Sequence, residues 1–235
     1  MKKTLLLACA ALAVAAFADQ ASAQSTGSVR VIGAVSPVGA IRWWDWTPTN
    51  TETGTNTAPT QNAPLDFTID LSELAAGLNF DTYAGGNVTA ILRSNESYRL
   101  FGEVTSSTGF GSSAAGDLEL ADVGFGILNL TNSGAATKVF GDPAGDASLT
   151  AGFGNDPNLA PKDVDEEPLW NPNYATLQDI ASVTQVMAGP RISNRGGNNS
   201  PNNGLLVDFG FAVGPQYYTP VANFEAVVEF TMATP

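Results

Sequence analysis

The side chains that carry most enzyme chemistry are scarce in this chain. It has no histidine, and its one cysteine is Cys9. Without imidazole, neither a Ser-His-Asp triad nor an ordinary zinc site can be assembled. Lys138 and Lys162 stand in no serine–lysine motif, and no glycine-rich phosphate loop leads from a strand into a helix. What remains is oxygen chemistry. Asp66, Asp70, Glu225 and Glu229 are carboxylates of the kind that work in pairs in glycoside hydrolysis. All four fall at outward positions of alternating strand patterns, where charge keeps a sheet face soluble and blunts edge pairing. The expectation is a protein that is not an enzyme.

Two further groups could bind. Asp142, Asp146, Asp163, Asp165 and Glu166 place hard oxygens in loop sequence. Calcium takes about six to eight such oxygens, although neither stretch has helix–loop–helix spacing. Calcium is therefore the one cofactor the residues suggest. Trp43-Trp44-Asp45-Trp46 gathers three of the four tryptophans within four residues. Aromatics displayed on a sheet stack on sugar rings or anchor a protein partner, and the same residues turned inward simply fill a core. Uninterrupted alternation places Trp44 and Trp46 on one face.

The ends and the charge narrow the setting. Lys2 and Lys3 precede an apolar run over residues 4–17, and Ala21-Ser22-Ala23 supplies a small-x-small cleavage pattern. Residues 1–23 read as a signal peptide, which sends the mature chain through the periplasm to the exterior, the cell surface or a fimbrium. Cleavage there removes Cys9, so stability has to come from the core and not from a disulfide. The net charge is −13 and the pI about 4.1. A field of that sign repels nucleic acid. Residues 24–235 are expected to form a single domain.

The elements that must position any site are short strands. Phe224, Ala226, Val228, Phe230 and Met232 recur every second residue, as do Leu205, Val207, Phe209, Phe211 and Val213. Leu65, Phe67, Ile69 and Leu71 make another stripe, Val123, Phe125 and Ile127 another, and Val29, Val31 and Val35 a first one. Period-two alternation marks half-buried strands. Val88, Ala90 and Leu92 lead through Ser94-Asn95-Glu96-Ser97 to Tyr98, Leu100 and Val104, and the pair reads as a hairpin. Residues 71–78 could form a helical turn or two, and residues 174–187 a helical turn followed by a strand. Three long polar loops lie at 47–64, 141–172 and 192–204. The whole predicts an all-β, antiparallel Greek-key β-sandwich, Ig-like or pilin-like, with long polar loops.

Three stretches carry a family resemblance. Ser28-Val29-Arg30-Val31-Ile32-Gly33-Ala34-Val35-Ser36-Pro37-Val38 resembles the N-terminal segment of chaperone–usher pilins. The likeness is to the alpha-class, colonization-factor group and to the related spore-coat-U-like secreted proteins. Ala222-Asn223-Phe224-Glu225-Ala226-Val227-Val228-Glu229-Phe230 is similar to the last strand of such subunits, and Ser94-Asn95-Glu96-Ser97-Tyr98-Arg99-Leu100 fits the same style. The insertion at 141–172 departs from the pattern. The resemblance implies an incomplete sandwich completed by the N-terminal strand of a neighbour. Val29, Val31 and Val35 would be the inserting side chains, with Gly33 at a shallow position. It also implies self-association, other surface subunits and a periplasmic chaperone as partners.

Three functions stay open at this point. The first is a structural or adhesive surface subunit of fimbrial type. The second is a monomeric secreted module that binds glycans or calcium. The third is a small outer-membrane β-barrel.

Overall fold

Alternation of apolar and polar residues becomes two antiparallel sheets whose apolar faces meet. The computed structural model describes residues 39–47, 83–111, 116–134, 141–163, 168–170, 173–192, 203–214, 218 and 224–235. All of them lie in one compact unit, Pro37–Pro235. The strands are β1 (Gly39–Thr47), β2 (Ala84–Ser94), β3 (Tyr98–Thr108), β4 (Val123–Gly134), β5 (Ser148–Leu149), β6 (Ala175–Thr176), β7 (Thr184–Gly189), β8 (Asn203–Val213) and β9 (Glu225–Ala233). One sheet runs β1-β2-β8-β4-β6 and the other β5-β7-β3-β9. No α-helix occurs among the described residues. The expected helical turn and strand over 174–187 are a 3₁₀ turn at Leu177–Ile180 followed by β7.

The predicted hairpin between β2 and β3 is not one. β2 pairs with β1 and β8, whereas β3 pairs with β7 and β9 in the opposite sheet. The Asn95–Ser97 link is an arch between sheets. Its sequence looks like a hairpin turn because both need polar residues that bend. The difference lies in the facing stripes. Ala90 and Leu92 on β2, and Tyr98 and Leu100 on β3, are all core residues. Placing the strands in opposite sheets lets the two stripes pack against one another. The arch is held by the Ser94 hydroxyl, which accepts from the Glu96 N–H at 3.2 Å, and by the Ser94 carbonyl, which accepts from the Ile192 N–H at 3.0 Å.

The centre of the core is aromatic. Phe209 on β8 stacks on Phe230 of β9, in the other sheet, with ring centroids 4.4 Å apart. Phe125 on β4 lies 6.2 Å from Phe209 and 5.8 Å from Phe230. Phe153, from the segment after β5, meets Phe125 edge-on at 5.8 Å. Such pairs add to the large apolar area that each ring removes from water. The outer side of the second sheet is the reverse. Glu225 and Glu229 of β9 are exposed, and Glu229 sits directly opposite Glu103 of β3. Like charges in directly opposed positions repel.

The segments 29–35, 65–71 and 71–78, each expected to be regular structure, lie outside the described residues.

Two outcomes follow from this packing. Phe209→Ala removes the ring that joins the sheets and should cost about 3–5 kcal/mol, read from denaturant unfolding. Glu229→Gln removes the repulsion opposite Glu103 and should raise stability by roughly 0.2–1 kcal/mol by the same measurement, more at low salt than at high.

Candidate functional site

The two sides of the sandwich are built differently. On one side the sheets are stitched together. The Thr150 N–H donates to the Val186 carbonyl of β7 at 2.9 Å, and the Phe153 carbonyl accepts from the Ile127 N–H of β4 at 2.7 Å. Residues 150–153 thus bond to both sheets within one short turn, which Gly152 permits with a φ of +90°. On the other side lie β1 and β9, each at the end of its sheet's order. Their Cα atoms come within 8 Å of one another. No described strand pairs with the outer edge of β9. Its inward residues Ala226, Val228, Phe230 and Met232 pack on the core yet stay only partly buried. A nine-residue edge with a half-covered apolar face is the form of surface that accepts another strand.

The donor-strand residues Val29, Val31, Gly33 and Val35 lie outside the described residues. The tryptophan cluster falls on β1. The ladder shifts register between Trp43 and Asp45, so that Trp43 stands opposite Ala90 and Trp46 opposite Val88. The backbone ladder of β1 is thus irregular within the tryptophan cluster.

Of the calcium candidates, Asp142 and Asp146 come together in a turn, while Asp165 and Glu166 lie outside the described residues. Asp163 is described at the far end of the insertion and is partly buried. The Asp142 carboxylate accepts from the Gly145 N–H at 3.0 Å and from the Asn132 side-chain amide. The Asn132 amide oxygen accepts in turn from the Ala144 N–H at 3.0 Å. These donors, the Gly145 N–H foremost, hold the Asp142 carboxyl below the usual carboxylate range. The observed role of Asp142 is to close the 142–146 turn and tie it to β4. Among the described residues no three carboxylates converge.

The described residues 156–160 and 168–170 pack against a sheet. A row of small residues crosses the outer face of the five-stranded sheet, with Gly85 and Gly124 each paired to Ala212. Trp170 and Pro157 lie over this row, and a Cβ on Gly124 would overlap both. Trp170, Ala160 and Ala212 form a second buried cluster, flanked by Tyr83 and Tyr174. The Tyr83 ring lies 5.4 Å from Trp170, and its hydroxyl donates to the Ala160 carbonyl at 2.7 Å. Burial, with Tyr174 nearby, pushes the Tyr83 hydroxyl up to about 12. The Lys162 ammonium sits 5.4 Å over the same ring. The Asp156 carboxylate caps the 3₁₀ turn Pro157–Leu159 through the Asn158 N–H at 2.9 Å.

Beside this cluster opens a cavity of about 590 Å³. Phe153, Trp170 and Tyr174 supply aromatic wall, and Gln178, Asp179 and Thr184 supply polar wall. Asp179 is fixed by its Oδ2, which accepts from the Thr176 N–H at 2.8 Å and from the Thr176 hydroxyl at 3.0 Å. Sequence reasoning missed this site. The signal was present in Gly124-Phe125-Gly126, where glycines interrupt a strand as they do wherever another chain segment approaches closely. A lone tryptophan between Pro168 and Pro172 was its partner.

Gly124→Ala should push Trp170 off the sheet and cost about 1–3 kcal/mol, with a shift in tryptophan fluorescence that Ala substitution at the exposed Gly154 does not give. The Asp142 carboxyl has an ordinary value of 3.8 and a lower one in the fold. Its contribution to the turn is therefore complete well above 3.8 and is lost as pH falls through the lower value. Exchange protection of the Gly145 amide should drop on acidification below about pH 4, and should be low throughout the range in Asp142→Ala. Comparison of the chain with models of protein families, with curated proteins and with solved structures finds no match.

Proposed function

We propose that the chain is a secreted structural or adhesive cell-surface protein, a Greek-key, pilin-like sandwich that assembles by donating its N-terminal strand to a neighbouring copy. The observation that carries this reading is the contrast between the stitched side of the sandwich and the β1/β9 side. The β9 edge offers backbone hydrogen-bonding groups beside a half-covered apolar stripe. An added strand supplies both missing halves, with main-chain bonds for affinity and alternate side chains for fit. Val29, Val31 and Val35 provide such a stripe, with Gly33 at the shallow position. The partners in this reading are other surface subunits and a periplasmic chaperone that shields the edge before assembly. No cofactor and no catalysis are required.

A second reading, a monomeric module that binds glycans or calcium, draws support from the half-open cavity beside Trp170. The barrel reading has less. Along β9 the apolar residues face the opposite sheet and Glu225 and Glu229 face out. A lipid-facing barrel strand carries its apolar residues outward.

The test is size-exclusion chromatography with light scattering, and negative-stain microscopy, on protein beginning at Gln24. The expected result is concentration-dependent oligomers or rods that disappear when residues 24–37 are deleted. A monomer at every concentration, or oligomers that survive the deletion, would overturn strand donation.

A further inference from the structure

We infer that the cavity beside Trp170 is a binding site for a neutral sugar ring. This inference does not depend on strand donation, since the cavity is lined by residues 151–153, 168–170 and 174–176 with Ala121, Gln178, Asp179 and Thr184, and by no described residue of β1 or β9.

The size is that of a small-molecule site, which occupies about 300–1,000 Å³. The chemistry of the wall selects the ligand class. None of the described residues that line it is Lys or Arg. Phosphate, carboxylate and sulfate groups therefore meet no counter-charge, and the Asp179 carboxylate repels them. The polar groups present are an amide, hydroxyls and one carboxylate, the set that bonds to vicinal hydroxyls. Both bonds described for Asp179 fall on Oδ2, which leaves Oδ1 able to accept. The Thr184 hydroxyl has two carbonyls in reach of its one proton, Ser182 at 2.8 Å and Asp179 at 3.0 Å, and its lone pairs remain for an incoming donor. Gln178 is exposed at the cavity wall, and its carbonyl accepts from the Ala181 N–H at 3.2 Å.

The apolar half of a sugar ring needs a surface as well. Tyr174 and Leu169 provide it, and Leu169 is 46% exposed. Leu159, Leu169 and Val183 are the exposed large hydrophobic residues among those described. Of these, Leu169 lines the cavity, beside Tyr174, whose hydroxyl donates to the Leu159 carbonyl at 3.2 Å. Trp170 lines the cavity as well; its side chain is 8% exposed, and its indole N–H meets no acceptor among the described residues.

The experiment is a two-dimensional ¹⁵N–¹H titration of the full mature chain with glucose, galactose, mannose and N-acetylglucosamine, and with N-acetylneuraminic acid as the anionic comparison. The Trp170 indole signal is assigned by its loss in Trp170→Phe. The expected result is saturable movement of that signal with at least one neutral sugar and none with the anionic one. Gln178→Ala and Leu169→Ala, both at exposed positions, should each weaken binding by about tenfold or more, equivalent to roughly 1.4 kcal/mol. No saturable shift with any neutral sugar would overturn the inference. So would binding that is indifferent to Gln178→Ala and Leu169→Ala, or stronger binding of the anionic sugar. Because those two variants leave the core untouched, the result stands even if Trp170→Phe fails to fold. Oligomer formation is read separately by light scattering, so neither proposal stands or falls with the other.

Discussion

The contact on which the sandwich depends is the stack between Phe209 and Phe230. It is the closest aromatic pair described, and its two rings come from opposite sheets. Sheet pairing alone would leave each sheet with an apolar face in water. The stack commits those faces to one another, and Phe125 and Phe153 extend the same aromatic layer towards the stitched side. Once this layer forms, the stripe on β8 and the stripe on β9 cannot slip by one residue without turning every ring to solvent. Register throughout both sheets follows from that.

The same layer explains the difference between the two sides. Phe153 reaches Phe125 only because residues 150–153 cross from β7 to β4, bonding to each. The core thus draws a loop in to close one side. At β9 the inward stripe is spent on Phe209, Val104 and their neighbours, and its outer margin stays half covered. The outward carboxylates at Glu225 and Glu229 fit that situation. They guard an edge against indiscriminate pairing while leaving the backbone groups available.

The strands were legible in the sequence, because their signal is local. Alternation in Phe224 to Met232, in Leu205 to Val213 and in Val123 to Ile127 depends only on which residues face the core, and all three stripes became strands. The turn and strand over 174–187 were legible for the same reason. What failed was non-local. The polar link between Leu92 and Tyr98 suits a hairpin or an arch equally, and only the need for both stripes to face each other across the core decides it. Bulges were equally hidden. The register shift at Trp43/Asp45 has no residue signature of its own. In the acidic stretch the side-chain bonds were hidden as well: Asp142 and Asp156 close turns by accepting from backbone N–H groups.

Residues 156–160 and 168–170 also show how an outer sheet face can be made to seat a loop. A sheet packed on one side presents side chains to water on the other, and a loop lying over them would rest on a rough, polar surface. Here Gly85, Ala212 and Gly124 reduce that surface to backbone across three strands. The indole of Trp170 can then lie flush, and the Pro157–Leu159 turn beside it. Glycine in a strand weakens it through entropy and lost packing, by roughly 0.5–1 kcal/mol relative to alanine. That cost recurs at Gly124 and Gly126 of β4 and at Gly210 of β8, the two strands with the most extensive pairing, which can bear it. The described residues seated on this row are packed against it, with Ala160 and Trp170 buried beside Ala212. The small residues at the centre of the sheet are thus what let Trp170 and Pro157 come down onto it.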